Sequence, residues 1–389
     1  MMIERQAKQK LKELAEGFPV VALIGPRQSG KTTLIKKAFP HKPYVLLEDP
    51  DTLSFAQKDT RGFLLQFPDG AIIDEAQKAP QLFSYLLGIV DARNIPGMFL
   101  LTGSQNFLLM EKISQSLSGR IALLKLLPFS YEELASCGIV YEGYEQYLLK
   151  GMYPRLYDMK ITPRDFYAGY VQTYLERDVR NLKNIHNLSS FHTFLKMCAY
   201  RNGQLLNLSS LANDCGITHN TARAWLSILE TSFIVFFLLP HHKNFNKRLV
   251  KMPKLYFVDQ GLAAYLADIH DRQHLVNHPL KGSLFEGFVI SELLKKRFNA
   301  GRESNLYFWR DKVGHEIDCL IDNGKDLVAI EFKSGRTITE DYFKNTRYWN
   351  SLTKNKYNKE FIVYGGQQQQ KRQREHVIPW NKASTVGFL

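Results

Sequence analysis

Cysteine is scarce in this 389-residue chain, which carries four, at positions 137, 198, 215 and 319. None stands in a C-x-x-C or other ligand-spaced pair, which argues against a disulfide framework or a zinc site and points to a reducing compartment. Long apolar runs are missing too. The longest, 233–239, falls far short of the ~20 residues that cross a bilayer as a helix. The opening stretch MMIERQAKQKLKEL is charged and lacks the apolar centre of a secretory leader. The expectation is a cytoplasmic protein with no membrane partner. Acidic residues are under-represented as well: 38 Asp and Glu face 51 Lys and Arg, a formal charge of +13. A surplus of that sign favours polyanionic partners, nucleic acid among them, without implying any sequence preference.

What is present is globular. Hydrophobic residues make up 44% of the chain and aromatics 12%, enough for real cores in the two or three domains this length predicts. Residues 1–17 read as an amphipathic lead-in helix. From 18 to about 127, apolar runs at 18–24, 44–47, 71–74, 98–102 and 121–126 alternate with helical stretches, the pattern of a parallel α/β sheet with crossover helices. At Pro128-Phe129-Ser130 the pattern changes, and Ser130 with Glu133 forms a capping box that opens a helix. A mainly helical connector follows to about 203, then helix, turn, helix and two strands to about 262. The last part, 270–389, reads as a helix around 285–298 and strands at 306–310, 315–321 and 327–332. The polar stretch Gln367 to Gln370 followed by Lys371-Arg372-Gln373-Arg374 reads as a surface loop.

Gly25-Pro26-Arg27-Gln28-Ser29-Gly30-Lys31-Thr32 fits G-x-x-x-x-G-K-[ST] in full. It follows an apolar strand and opens a helix with Thr33, the context that motif requires. Its glycines let backbone N–H groups wrap phosphates, aided by the positive end of the helix. Lys31 is expected to reach the β- and γ-phosphates of ATP, and the Thr32 hydroxyl to ligate Mg²⁺. Asp74 and Glu75 end the strand 71–74. Asp74 is placed to hold Mg²⁺ and Glu75 to polarise the attacking water. Thr102, Ser104 and Gln105 end the next strand, where a polar side chain can sense the γ-phosphate or simply form a turn. Arg120 precedes the last strand and reads either as a cation for transition-state charge, in cis or in trans, or as an ordinary surface arginine.

These residues carry a resemblance. The phosphate loop, Ile72-Ile73-Asp74-Glu75-Ala76-Gln77, Leu101-Thr102-Gly103-Ser104 and Leu127-Pro128-Phe129-Ser130 together resemble a prokaryotic AAA+-type ATPase family. The C-terminal half is similar to that family's companion domain of unknown function, in Lys254-Leu255-Tyr256-Phe257-Val258-Asp259 and Leu284-Phe285-Glu286. The resemblance spans nearly the whole chain and implies an additional-strand P-loop fold with ATP as ligand. A second sensor arginine in a lid helix has no clear counterpart, which leaves ring assembly and oligomeric state open.

The middle segment has helix-turn-helix spacing, with Gly216 at the turn and Thr218 capping the second helix. Leu211, Ala212, Ile217, Ala222, Leu226 and Leu229 form its expected core, leaving His219, Asn220 and Arg223 outward. The following strands, 234–239 and 255–258, would make a winged helix whose wing, 241–254, carries Lys243, Lys247, Arg248, Lys251 and Lys254 and no acid. Such a wing is suited to a DNA backbone; the other reading is a packing or protein-contact module. In the C-terminal part, Glu286 on a helix, Asp318 on one strand and Glu331-Phe332-Lys333 on the next resemble the PD-(D/E)xK nuclease superfamily, a restriction-endonuclease-like α/β fold. Strand alternation puts Glu331 and Lys333 on one face. The resemblance implies that Glu286, Asp318 and Glu331 gather Mg²⁺ while Lys333 orients water near a phosphate. His315 and Glu316 flank this set, Glu316 on the face of Asp318. Trp309 and Arg310 read as core and rim.

Two functions follow. One is an ATPase acting on DNA with a nuclease-like C-terminal domain. The other is a nucleotide-gated switch whose C-terminal domain is a catalytically silent module for a protein partner.

Overall fold

The computed structural model describes residues 3–104, 117–175, 188–241, 250–354, 359–372 and 375–386. Gln105, Lys243, Lys247, Arg248, Gln373 and Arg374, singled out from the sequence, lie outside the described residues. The chain divides into two compact units. One comprises Met1–Cys137 with Thr231–Phe233 and Arg297–Glu303; the other comprises Gly138–Glu230, Ile234–Lys296 and Ser304–Leu389.

The first unit is built on five strands: β1 (Val20–Ile24), β2 (Tyr44–Leu46), β3 (Ile72–Asp74), β4 (Phe99–Gly103) and β5 (Ile121–Lys125). They form one sheet in the order β2-β3-β4-β1-β5, with every neighbouring pair parallel. Strand β1 is buried throughout, as a central parallel strand covered on both faces must be. Its alternate residues Val21 and Leu23 pack with Leu124 and Leu126, with Leu34 and Ile35 of the helix Lys31–Ala38, and with Leu11 of the lead-in helix Ala7–Gly17. The predicted capping box is present: Glu133 N donates to Ser130 Oγ at 3.2 Å, and Ser130 N to Glu133 Oε2 at 2.9 Å.

The second unit begins with helices, among them Tyr144–Lys150, Pro163–Tyr170 and Leu188–Tyr200. Asp259 fixes part of this packing, accepting bonds from Tyr167 Oη at 2.6 Å and Met152 N at 2.7 Å while capping the helix Gln260–Leu266. Then come the helices Leu208–Asp214 and His219–Thr231. Gly216 makes the turn between them at φ 63°, a left-handed backbone glycine takes at little cost. Thr218 Oγ1 accepts from Thr221 N at 3.1 Å, closing the first turn as predicted. Leu211, Ala212, Ala222, Leu226 and Leu229 are buried, and Trp225 meets Phe191 and Phe194 edge-on at ring distances of 5.3 and 5.2 Å. Ile217 is only half-buried, and Arg201 is paired with Asp214.

Strands β6 (Val235–Pro240) and β7 (Lys254–Phe257) pair antiparallel. The helix Lys281–Asn299 leads to an antiparallel meander of β8 (Leu306–Arg310), β9 (Glu316–Asp322) and β10 (Leu327–Lys333). The helix Lys344–Thr353 then returns the chain to β11 (Lys359–Tyr364), parallel to β10. Strands β12 (Gln370–Lys371) and β13 (Glu375–Pro379) complete the edge. The stretch read as a surface loop therefore contains a short strand, because Gln370 and Lys371 find backbone partners in Val377 and His376. All eight strands form one sheet, β12-β13-β11-β10-β9-β8-β6-β7. The two stretches separated in the sequence at 262–270 share that sheet, since Leu239 and Pro240 of β6 pair with Tyr307 and Phe308 of β8. Trp309 and Trp349, both fully buried, anchor the core beneath the meander. Among the described residues, no helix is long and apolar enough to cross a membrane.

Candidate functional site

The loop 25–32 leaves the C-terminal end of β1, where parallel sheets present their ligand crevice. Its shape is enforced by close packing: a Cβ on Gly25 would lie 2.0 Å from the carbonyl oxygen of Leu126. Gly30 adopts φ 90° just before the helix starts. The Lys31 side chain crosses the loop, its Nζ donating to Gly25 O at 2.9 Å and Pro26 O at 2.7 Å. Ser29 Oγ is fully buried and has no hydrogen-bond partner. A buried, unsatisfied hydroxyl in a loop that precedes a helix N-terminus fits an oxyanion such as a phosphate. Arg27 lies 3.6 Å from Glu48.

The acidic half of the site meets the loop through one side-chain contact. Asp74, at the end of β3, accepts from Thr32 Oγ1 at 2.7 Å. That spacing lets hydroxyl and carboxylate share one small cation, so the pair fits Mg²⁺ held together with phosphate oxygens. Tyr44 Oη donates to the same carboxylate oxygen at 2.8 Å, and Thr102 Oγ1 to the other. Burial and the bond to Asp74 push the Tyr44 phenol well above its usual range, keeping it a donor. Glu75 sits in a left-handed backbone at φ 58°, ψ 42°. Ser104 Oγ donates to Glu75 Oε2 at 3.0 Å, and Gln77 Nε2 bonds the same oxygen. Thr102 and Ser104 are therefore wired to the two acids. Arg120 is not brought to the loop. It precedes β5 at the level of Val20, the opposite end of β1, ~13 Å back along the strand at 3.3 Å per residue. There it pairs with Asp91, exposed to solvent, so a role in cis is excluded by placement.

Sequence reasoning missed Arg5. This residue is 8% exposed, and its guanidinium pairs with Glu133 Oε1 at 3.0 Å and donates to Ser29 O and Leu127 O, each at 2.6 Å. It ties the lead-in segment to the loop's own carbonyl. No local signal reveals this, since Arg5 and Glu133 lie 128 positions apart.

A second cluster lies on the unit comprising the meander. Glu286 projects from the helix Lys281–Asn299, Asp318 from β9, and Glu331 and Lys333 from β10. Lys333 Nζ donates to Glu331 Oε2 at 3.0 Å, Asn345 Nδ2 to the same oxygen at 3.1 Å, and Phe332 N to Asp318 Oδ2 at 2.8 Å. Burial pushes the Glu286 carboxyl up to about 7 against the pull of Lys254. Burial, reinforced by Asp318, pushes Glu331 up to about 8, and burial raises Asp318 as well. The wing assignment of Lys254 needs correction. It is 3% exposed and bonds Glu286 Oε1 at 3.0 Å and also Glu316. It starts β7 with its side chain inward, because the carboxylates compensate a charge that burial alone would penalise. They outweigh the burial and hold its ammonium above the usual range. His315 stacks on Tyr348 at 3.9 Å and bonds Asp311, a packing role. Trp309 is core and Arg310 rim, as read. His219, Asn220 and Arg223 are exposed at the start of their helix.

Comparison with known proteins places these sites in context. Residues 17–135 match an AAA domain family. Residues 141–273 and 281–383 match two domains of unknown function, DUF8612 and DUF4143. Uncharacterized protein Rv2008c of Mycobacterium tuberculosis is 31% identical over 352 residues, covering 89% of this chain and 77% of its own length. Uncharacterized protein Mb2031c of Mycobacterium bovis gives the same values. Among solved structures the chain is similar to the Walker-type ATPase PABY2304 of Pyrococcus abyssi, at 17% identity and a TM-score of 0.46, covering 68% of this chain and 96% of that one.

Proposed function

This chain belongs to the family of the two mycobacterial proteins, with an AAA-type P-loop domain at its head, and we propose that it hydrolyses ATP and acts on DNA. The observation that carries the first half is the convergence of Lys31, Thr32, Asp74 and Glu75 at the ends of β1 and β3. Bound ATP with Mg²⁺ supplies the scissile phosphoryl bond. Lys31 leaves the carbonyls of Gly25 and Pro26 to pair with phosphate oxygens. Thr32 and Asp74 would hold Mg²⁺, which would neutralise charge on the phosphate oxygens. Glu75, oriented by Ser104 and Gln77, accepts the proton of the attacking water at its carboxylate.

The DNA half is supported by the exposed His219, Asn220 and Arg223 at the start of the second helix of a helix-turn-helix followed by an antiparallel hairpin, a winged-helix order. The charge of +13 agrees with it. The nuclease-like reading of the C-terminal domain is supported by its order of helix, three-stranded meander, helix and parallel strand, with Glu286, Asp318, Glu331 and Lys333 at corresponding places. The alternative, a switch with a silent domain that binds a protein partner, has one observation in its favour: Glu286 is already paired with Lys254.

Phosphate release measured with and without duplex DNA tests this reading. The wild type should turn over ATP, and Glu75→Gln should bind ATP yet lose ~10²–10⁴-fold in rate, the range for a general base. DNA affinity should fall with salt, with a log–log slope of about −0.9 per phosphate contacted, and Arg223→Ala should shallow it. A flat salt response would favour the switch.

A further inference from the structure

The carboxylate cluster of the nuclease-like domain already holds a cation of the chain's own. Lys254 is the first residue of β7, a strand outside the meander that supplies Asp318, Glu331 and Lys333. Its Nζ stands 3.0 Å from Glu286 Oε1 and also bonds Glu316 Oε1. Tyr256, two residues along the same strand face, donates to that same oxygen of Glu286. Glu316 is further paired with Arg310 at 3.1 Å. On the other side Glu331 Oε2 is taken by Lys333 and Asn345, and Asp318 Oδ2 by the Phe332 amide. Four carboxylates, Glu286, Glu316, Asp318 and Glu331, thus face three cationic side chains, Lys254, Lys333 and Arg310. Both oxygens of Glu316 and one each of Glu286, Asp318 and Glu331 are spent on these donors. Among the described residues no group of three or more His, Cys, Asp or Glu is arranged to hold a metal ion. The residues as placed do not fit the Mg²⁺ that the nuclease resemblance implies.

We infer that Lys254 is a tethered counter-cation that closes this cluster to divalent metal, so that the site accepts a metal ion only when the Lys254 ammonium is absent or withdrawn. The inference rests on the nuclease-like reading of the cluster and adds its control. The physical reason is competition for the same oxygens. A divalent cation is bound by carboxylates whose lone pairs are free, and a buried ammonium fixed by two of them must be displaced before the ion gains that charge. The competing cation is covalently attached, so dilution does not remove it, and β6 holds it in register through the pairing of Leu238 with Lys254. The lysine also lies on the hairpin that follows the helix-turn-helix, which gives that hairpin a chemical consequence beyond packing.

The test is Mn²⁺ binding to the full-length, nucleotide-free protein, followed by electron paramagnetic resonance of the free ion. Lys254→Met keeps the length and apolar stem of the side chain and removes the charge. It should gain one Mn²⁺ site at least 10-fold tighter than anything in the wild type, and Lys254→Met combined with Asp318→Asn should lose it. Lys254→Arg retains a cation and should stay as refractory as the wild type. Lys254→Gln provides a second neutral variant should the methionine protein fail to fold. The test also runs without any change at Lys254, for Asp318→Asn alone should leave the Mn²⁺ binding of the wild-type background unchanged. Wild-type binding that Asp318→Asn abolishes, or neutral folded variants that gain no site, would overturn the inference. DNA cleavage separates the two ideas. A gained, Asp318-dependent site that cuts no DNA upholds the lysine's role and removes the nuclease. Mg²⁺-dependent cutting by the wild type that needs Asp318 upholds the nuclease and removes the lysine's role.

Discussion

Arg5 offers the sharpest test of how the phosphate loop is held. Arg5→Met preserves the stem that packs by Phe129, whose ring lies 4.9 Å from the guanidinium, but removes donors to Glu133, Ser29 and Leu127. The Glu133 side chain is wholly buried, so the substitution strips a buried carboxylate of its cation and two carbonyls of a donor. Breaking a buried pair from one side costs ~3–5 kcal/mol, whereas replacing both partners with apolar groups costs far less. With a urea slope of about 3 kcal/mol/M, that is a midpoint shift of ~1–1.7 M for the unit containing Arg5. Glu133 also closes the capping box and accepts the Gln6 amide at 2.8 Å, so Glu133→Met alone should be destabilised too. The double variant should sit well above the sum of the two, because the stranded charge is gone. Arg5 contacts the loop only through the Ser29 carbonyl, so Arg5→Met should raise the KM for ATP and leave kcat nearly unchanged. The assay is urea unfolding beside steady-state phosphate release. Additive single losses, or a single loss below ~1 kcal/mol, would refute the bracing role, since a buried pair cannot be cut that cheaply.

Other predictions follow from the same reasoning. Gly25→Ala should abolish nucleotide binding, measured with a fluorescent ATP analogue, because its Cβ would sit 2.0 Å from the Leu126 carbonyl. Glu331 is raised from 4.5 to about 8 in the fold, so its native state keeps a proton that the unfolded chain releases between those values. Its contribution to stability is full below pH 4.5 and lost as pH climbs through about 8. The denaturant midpoint should fall over that window, and Glu331→Gln should flatten the fall; an unchanged slope would count against the assignment. Trp309→Ala, which empties a fully buried site beside Trp349, should cost ~3–5 kcal/mol by urea unfolding.

What the sequence made legible was local or periodic. The residues 25–32 are contiguous and flanked by strand and helix, so the loop and its partner Asp74 could be placed before any coordinates. Ser130 and Glu133 are three apart, and their reciprocal bonds depend on one turn of helix. The buried positions of the helix pair around Gly216 follow helical spacing. What stayed hidden depends on partners far along the chain. Lys254 sits in a run of lysines and arginines and looks solvated, yet its inward position is decided by Glu286 and Glu316, which lie on other elements. Arg5 looks like one more charge in a polar leader, because nothing near it announces Glu133. The position of Arg120 follows from the register of β5 against β1, and register is a property of the pair. Gln370 and Lys371 are too polar to advertise a strand, and it is the backbone of β13 that recruits them.

The pairing of β6 with β8 has a consequence for how this protein can be divided or inherited. A fragment beginning near residue 281 would carry the meander but leave β8 with a bare edge along Tyr307 and Phe308. It would also strip Glu286 and Glu316 of the lysine that neutralises them. An unpaired edge strand is a template for association with other chains, and an uncompensated buried acid weakens what remains. The hairpin of β6 and β7 and the C-terminal sheet are therefore expected to travel together through recombination, as a single heritable piece with one seam of hydrogen bonds and one shared charge balance. Shuffling one half against a foreign counterpart would succeed only where the newcomer brings both a strand for Tyr307 and a cation for Glu286.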